Sequence, residues 1–319
     1  MTSVVFTAPG EVAVLDEGPS PAAGDEELAG QTVVSLISPG TELAGLMNIG
    51  GGVPYPIVLG YAAVFDVTDV GPGVTGFEPG DRLLCHGGHR SWQVASSREV
   101  LRVPAGLDPP VAAAARLAGV PMTALALAGA RPPERVLVSG LGIIGNLAAQ
   151  LFAASGYQVL AWDPRDRARE LARPLGFEVR PEPPAGDARW DGTAALVLEC
   201  SGTPEAILDA GRLVRAGGEV MLIGVPHGEF AGHALLKLVF ERRLRLRSAL
   251  EWSLPLRPEP WHAGSMLGNQ QAALTWLAAG RITVDGLIGS IDAADAASAY
   301  ARLSSGAPVL SYSLAWSRT

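Results

Sequence analysis

The sequence predicts an α/β protein of two domains, a small β-barrel followed by a doubly wound parallel sheet. Three observations carry this. Short β-prone runs separated by Gly- and Pro-rich turns fill the first 115 residues. Strand and helix patterns then alternate with short links, which implies a parallel sheet covered on both faces. One strand runs directly into a glycine-rich turn and a helix, in the stretch Arg135-Val-Leu-Val-Ser-Gly-Leu-Gly-Ile-Ile-Gly145. A chain of 319 residues also exceeds what one ordinary core organises.

Taken in order, residues 4–7, 11–15, 31–38, 64–70, 82–85 and 93–95 read as strands. Pro39-Gly40, Gly50-Gly51-Gly52, Gly71-Pro72-Gly73 and Pro79-Gly80-Asp81 are their turns. No helix of normal length is expected before about residue 110. Residues 112–127 are rich in Ala and Leu and favour helix, with Pro121 as the expected break. Strands at 135–139, 158–162, 194–199, 219–224 and 244–249 alternate with helices at 147–154, 166–175 and 204–214. The last segment holds helices at 270–279 and 293–304, then a strand at 309–315.

Composition narrows the function. With 48% hydrophobic and 18% charged residues, the chain is globular rather than disordered. A net charge of −8 argues against the basic face that nucleic-acid phosphates need. Cys85 and Cys200 are too few for a zinc–cysteine framework or a disulfide scaffold. The start, Met-Thr-Ser-Val-Val-Phe, shows neither a basic segment nor an apolar run of signal-peptide type. The stretch between Arg135 and Asp163 carries no charge, but Ser139, Gly140, Gly142, Asn146 and Gln150 interrupt it. It reads as a buried strand–turn–helix–strand and not a membrane span. The expectation is a soluble cytoplasmic protein with a small-molecule substrate and no nucleic-acid or membrane partner.

Gly140-x-Gly142-x-x-Gly145 is the strongest motif. Gly140 permits the tight turn, Gly142 lets the backbone approach a pyrophosphate, and Gly145 lets helix and strand pack closely. Phosphates would rest on the free N–H groups of the helix start, at Ile143 and Ile144. Asp163, at the end of the next strand, would accept the ribose hydroxyls and repel a 2′-phosphate, which favours NAD(H). Arg165 and Arg167 offer a 2′-phosphate an alternative grip, so NADP(H) stays open. Cys200-Ser201-Gly202 and Gly224-Val225 fall at the carboxyl ends of later strands, where open sheets bind ligands. Cys200 itself reads as a small buried residue rather than a reactive thiol.

Further phrases run across nearly the whole chain: Gly71-x-Gly73-x-x-x-Phe77-x-x-Gly80-Asp81-Arg82, Thr123-Ala124 ahead of the nucleotide strand, and Arg212-Leu213-Val214-Arg215-x-Gly217-Gly218. With the order barrel, nucleotide domain and return segment, they resemble the medium-chain dehydrogenase/reductase superfamily. The resemblance implies a GroES-like barrel catalytic domain at 1–115, completed by 254–319, and a Rossmann domain at 116–253. It implies that Thr123 contacts the nicotinamide, and that an edge strand within residues 230–240, chiefly 234–240, pairs two copies into a homodimer; the other reading of that segment is an internal helix packed on the sheet. The chain departs from the zinc members. Ser38-Pro39-Gly40-Thr41-Glu42 stands where they carry a cysteine run, Gly60-Tyr61-Ala62 where they carry Gly-His-Glu, and their third ligand falls near Arg116 or Gly119. A local cluster of Cys85, His86 and His89 is the remaining metal alternative. Ser38–Glu42, Gly60-Tyr61, Ser248-Ala-Leu-Glu-Trp252 and Leu-Ala-Trp316 are similar to the bacteriochlorophyllide hydroxyethyl dehydrogenase group, which oxidises a secondary alcohol with NAD.

Without zinc, hydrogen-bond donors must polarise the carbonyl. Thr41 falls at the family's proton-relay position. Tyr61 either donates to the substrate oxygen or fills the space of the lost ligand. His89 is either a proton path to solvent or a surface-loop histidine. Glu42 reads as structural, and Arg116 either meets an acidic substrate or pairs with Glu42. The expected activity is a zinc-independent hydride transfer between NAD(H) and a secondary alcohol or ketone. An NADPH-dependent reductase of an activated C=C or C=N bond is one alternative. A catalytically inactive nucleotide-binding or redox-sensing protein is the other.

Overall fold

A computed structural model describes residues 1–229 and 232–317. The chain divides into two compact units, residues 1–117 with 273–319, and residues 118–272. The expected return to the barrel at 254 therefore falls later, inside a helix. The first half of that helix belongs to the second unit, where Asn269 Nδ2 donates to Thr123 Oγ1 at 2.9 Å.

Strands β1 (Thr2–Ala8) and β2 (Glu11–Asp16) form an antiparallel pair. Next come β3 (Glu27–Leu36), a helix α1 (Pro39–Leu46), β4 (Ala63–Val70), β5 (Arg82–Cys85), β6 (Trp92–Ser96) and β7 (Leu101–Arg102). Helix α1 was not expected from the sequence. Its eight residues are started by Pro39, and its first turn is tied down by a buried Glu42. Helix α2 (Pro109–Leu127) is continuous through Pro121, which corrects the expected break. The cost of a proline in mid-helix, about 3 kcal/mol, is outweighed by the burial of its Ala and Leu faces. Ala112, Ala113, Ala114, Ala115, Leu117 and Ala118 are all fully buried. This is a described helix long and apolar enough to cross a membrane, yet 67% of that stretch is packed inside the protein, as a core helix is.

The second unit holds β8 (Arg135–Ser139), α3 (Ile143–Ala154), β9 (Gln158–Trp162), α4 (Asp166–Ala172), β10 (Glu178–Arg180), β11 (Ala194–Glu199), α5 (Pro204–Leu213), β12 (Val214–Leu222), α6 (Gly232–Arg242) and β13 (Arg245–Ser248). The six strands pair in parallel in the order β10-β9-β8-β11-β12-β13. In order of appearance that is 3-2-1-4-5-6, the dinucleotide-binding arrangement, with its switch point between β8 and β11. Burial of Leu137, Leu160, Val197 and Val220 on one face unites the sheet. After α7 (Met266–Ala278), strand β14 (Ile288–Asp292), helix α8 (Ala296–Ser305) and strand β15 (Ser311–Ala315) return to the first unit. There β14-β15-β3-β4-β5-β7 form a mostly antiparallel sheet, with β6 also on β3.

The expected edge strand at 234–240 is corrected. Those residues lie in α6, where Leu235, Leu238 and Val239 recur at helical spacing against the sheet, and Leu236 and Phe240 face outward. Phe230 and Ala231 lie outside the described residues. The parallel sheet has β10 and β13 as its two edge strands, and the four residues of β13 are all exposed.

Candidate active site

In the sheet unit each glycine of the turn has a separate reason. Gly140 holds φ at +86°, the left-handed region. A Cβ at Gly145 would lie 1.9 Å from the Gly140 carbonyl oxygen, so only glycine lets α3 meet the turn. A Cβ at Gly142 would meet nothing within 4 Å, so the space above it is open. Gly142 is also the N-cap of α3, which presents the first-turn amides including Ile143 and Ile144. On the neighbouring strand, the buried Glu199 carboxylate shapes the next loop. It accepts the Ser201 and Gly202 amides at 2.8 and 2.9 Å and the Ser201 hydroxyl at 2.5 Å. Burial pushes its carboxyl above the usual range, although those bonds pull it back. Cys200 packs against Gly145 and Gly224. Burial, then the neighbouring Glu199 charge, pushes its thiol well up, as suits an unreactive packing residue. Gly202 and Val225 also touch: a Cβ at Gly202 would stand 2.3 Å from the Val225 carbonyl. The loops after β8, β11 and β12 thus converge where the sequence placed the cofactor.

Asp163 is buried at the end of β9, and its carboxylate is fully used. Oδ1 accepts the Arg165 amide and Nε, both at 2.9 Å. Oδ2 accepts the Leu141 amide at 2.8 Å and Arg165 Nη2 at 2.7 Å. Burial raises its pKa, but the Arg165 side chain and the two amides outweigh it and hold the carboxyl below the usual 3.8. A depressed carboxyl stabilises the fold above its unfolded value, and that contribution fades as pH falls through the folded value. Asp163→Asn should therefore be less stable than wild type at neutral pH. The two unfolding curves should converge as pH falls through the folded value, which lies below the usual 3.8, as acid titration of the protein would show. Arg167, also expected near the cofactor, pairs with Glu170 at 3.2 Å. Thr123 is fully buried in α2, donating to the Gly119 carbonyl at 3.0 Å and accepting from Asn269.

In the barrel unit, the structure brings Thr41 and Tyr61 together. Tyr61 O–H donates to Ser38 Oγ at 2.5 Å, and Thr41 Oγ1 lies 3.4 Å from the Tyr61 oxygen. Since the phenol proton points to Ser38, Thr41 is the donor of that longer contact. Arg116 is fully buried, and its guanidinium lies over the Tyr61 ring, 4.7 Å from the centroid. Burial raises the Tyr61 pKa, although the Ser38 and Thr41 bonds oppose it, so the group is a phenol donor.

His89 is corrected in both of its expected roles. It is 1% exposed, so it is neither a surface-loop residue nor a direct proton outlet to solvent. Nδ1 meets Ser35 Oγ and Nε2 meets Glu42 Oε2, each at 2.8 Å. Glu42 Oε2 also accepts the Tyr300 hydroxyl at 2.5 Å, and Oε1 accepts the Ser38 amide at 2.7 Å. Glu42 is therefore the acceptor throughout, and Nε2 carries a hydrogen. Burial and then the Glu42 charge push the Tyr300 phenol well up, which keeps it a donor. Trp316 Nε1 donates to Ser35 Oγ at 2.9 Å. Ser35, Tyr300 and Trp316 are partners that sequence spacing did not reveal. The Glu42 bond to the Ser38 amide links this network to the hydroxyl chain above it.

Comparison with known proteins agrees with this architecture. Residues 144–254 match the family described as zinc-binding dehydrogenase. An alcohol dehydrogenase of Geobacillus stearothermophilus is 30% identical over 212 residues, covering 54% of this chain and 63% of the relative. The match thus spans under two thirds of that relative's length. A zinc-binding dehydrogenase of Sinorhizobium meliloti 1021 solved with NADP superposes with a TM-score of 0.80 at 21% identity, over 98% of both chains. Acetophenone reductase from Geotrichum candidum, solved with NAD, gives a TM-score of 0.80 at 19% identity over 98% of this chain and 96% of that one. The family match thus covers residues 144–254, within the nucleotide-binding half, and the solved structures share the fold.

Zinc is held by thiolate, imidazole or carboxylate donors. The resemblance places the zinc members' ligands at Ser38, at Tyr61 and near Arg116 or Gly119. Two hydroxyls beside a guanidinium do not fit the ion. Among the described residues, no group of three or more His, Cys, Asp or Glu is placed to hold a metal. Cys85 is a buried thiol pushed up to about 12 by desolvation, and His89 is spent on Ser35 and Glu42.

Proposed function

We propose that the protein is a zinc-independent oxidoreductase that transfers a hydride between NAD(H) and a secondary alcohol or ketone. The observation that carries this is the hydroxyl chain Thr41–Tyr61–Ser38 with the Arg116 guanidinium over the Tyr61 ring, in the segments where the resemblance would put metal ligands. The nicotinamide supplies or accepts the hydride when bound. Gly140, Gly142, Ile143, Ile144 and Gly145 would hold the pyrophosphate, Asp163 the ribose, and Ser201, Gly202, Gly224 and Val225 the opposite end. When substrate binds, the Tyr61 O–H turns from Ser38 to the substrate oxygen and gives up its proton there, Thr41 passes its own proton to Tyr61, and solvent reprotonates the exposed Thr41. Arg116 supplies a fixed positive charge that favours the developing alkoxide.

The protein is further proposed to be a cytoplasmic homodimer, with β13 rather than residues 234–240 as the pairing edge. A kinship in substrate type to the bacteriochlorophyllide hydroxyethyl dehydrogenases remains part of this reading.

The test is turnover of purified protein on a panel of secondary alcohols, ketones, enones and imines with NADH and NADPH, alongside elemental analysis. Ketone reduction without stoichiometric zinc, unaffected by chelators, is expected. One tightly held metal per chain would overturn the roles given to Ser38, Tyr61 and Arg116. Turnover confined to enones or imines with NADPH would select the C=C or C=N reductase. Nucleotide binding with no turnover would select the sensor.

A further inference from the structure

We propose that Ser38 is a second hydrogen-bond donor to the substrate oxygen, held by Tyr61 until substrate arrives. This rests on the reading of Tyr61 as the first donor. The hydroxyls run in one direction, Thr41 to Tyr61 to Ser38, with contacts of 3.4 and 2.5 Å. Ser38 Oγ accepts from Tyr61, so its own hydrogen is left over. Among the described residues, Tyr61 is the one hydrogen-bond partner of the Ser38 hydroxyl. A serine at a helix start ordinarily turns its hydroxyl onto the first-turn amides. Ser38 is the N-cap of α1 and makes no such bond. Glu42 Oε1 accepts the Ser38 amide at 2.7 Å and ties down this end of the helix. The Ser38 hydroxyl is thus released from capping and turned to Tyr61.

Burial gives this arrangement its consequence. Ser38 is 4% exposed, whereas Thr41 is exposed and Tyr61 only half-buried. When the Tyr61 O–H turns to the substrate oxygen, Ser38 loses its partner where water scarcely reaches. A buried polar group left unpaired is costly. The incoming oxygen removes that cost, because a carbonyl has two lone pairs and can accept from both hydroxyls. The negative charge that grows on it during hydride transfer then meets two O–H groups. The balance of the reduction is unchanged. The carbon takes the hydride, the oxygen takes the Tyr61 proton, and Ser38 contributes a hydrogen bond and keeps its own proton.

The test follows single-turnover reduction by NADH of whichever ketone wild type reduces fastest among dialkyl, cyclic and aryl ketones. Ser38→Ala is expected to lower the hydride-transfer rate about 10²-fold, the effect of losing one such donor, with NADH affinity unchanged. Ser38→Thr keeps a hydroxyl and should recover most of the rate. A serine that only anchors Tyr61 predicts the opposite sign. Its removal would free the phenol and leave the rate unchanged or raise it, and that result overturns the proposal. A second readout needs no turnover. With oxidised nucleotide, which cannot reduce the ketone, the infrared C=O stretch of bound ketone should lie at higher frequency in Ser38→Ala than in wild type, because one polarising bond is gone. An unshifted stretch also overturns the proposal. Should thermal unfolding show Ser38→Ala to be misfolded, Ser38→Cys replaces it, with a similar shape, a weaker donor and the same expected directions. Loss of rate in Tyr61→Phe with none in Ser38→Ala overturns this inference and leaves the Tyr61 reading standing. A wild-type rate in Tyr61→Phe, or a wild type that reduces no ketone, overturns that reading and this inference with it.

Discussion

Replacing Tyr61 by Phe is expected to lower kcat for carbonyl reduction by about 10²–10³-fold, or about 2.7–4 kcal/mol of transition-state stabilisation. The phenol is the central member of the hydroxyl chain, bonded at 2.5 Å to Ser38 and contacted at 3.4 Å by Thr41. Its deletion removes the proposed donor to the substrate oxygen and leaves Thr41 without its Tyr61 contact. Thr41→Val should cost less, because the contact it loses is the longer one. The double variant should fall short of the product of the two effects, since both serve one oxygen. The raised Tyr61 pKa adds a sign. The donor form persists above the ordinary value of 10.0, so no loss of kcat from this group is expected below that pH. Single-turnover hydride transfer, followed by NADH absorbance, separates this from binding, and NADH affinity should be unchanged. A near-wild-type rate in Tyr61→Phe would show that the substrate oxygen takes its hydrogen bond elsewhere.

The nucleotide half was legible because its constraints are local. Gly140 needs a left-handed turn and Gly145 a close approach to that turn. Both leave glycines at fixed offsets between a strand and a helix. The barrel half was legible as strands and turns, but its chemistry was only partly so. Thr41 and Tyr61 were found through their positions in a family pattern, and the structure adds that they touch. Glu42 was read as structural, and the structure buries it in a hydrogen-bonded network. Its partner Tyr300 lies in α8, and Trp316, which donates to Ser35 in the same network, lies just after β15; no spacing rule connects residues brought together by the return of the chain. His89 was misplaced for the same reason. A histidine before a Ser-Trp pair between strands looks like a loop residue until Ser35 and Glu42 arrive from distant segments. The error at 234–240 had another source. Ala-Leu-Leu-Lys-Leu-Val-Phe suits either a strand or a helix, and a short apolar run does not decide between them.

The same network gives the largest stability effect expected in the molecule. His89→Ala should destabilise the barrel unit by about 3–5 kcal/mol, the cost of leaving one member of a buried, hydrogen-bonded pair without its partner. Both His89 and Glu42 are at most 1% exposed, so water cannot take the place of the imidazole without entering a packed core. The loss propagates along named bonds. Ser35 loses the Nδ1 contact, and Glu42 keeps only the Tyr300 hydroxyl and the Ser38 amide. Glu42→Ala should be comparably costly, because it leaves the Nε2 hydrogen, the Tyr300 hydroxyl and the Ser38 amide unmatched together. If the two residues act as one unit, the double variant should be less destabilised than the sum of the singles, by about 0.5–3 kcal/mol. Denaturant unfolding monitored by tryptophan fluorescence reads this directly, since Trp316 is itself a member of the network. The conservative variant Glu42→Gln separates shape from charge. It fills the same volume but presents an amide N–H₂ where the carboxylate accepted, so it should lose stability too. Because Glu42 also holds the Ser38 amide, it should lower kcat with little change in NADH affinity. Strict additivity, or a Glu42→Gln protein as stable and as active as wild type, would reduce His89 and Glu42 to independent core-filling residues.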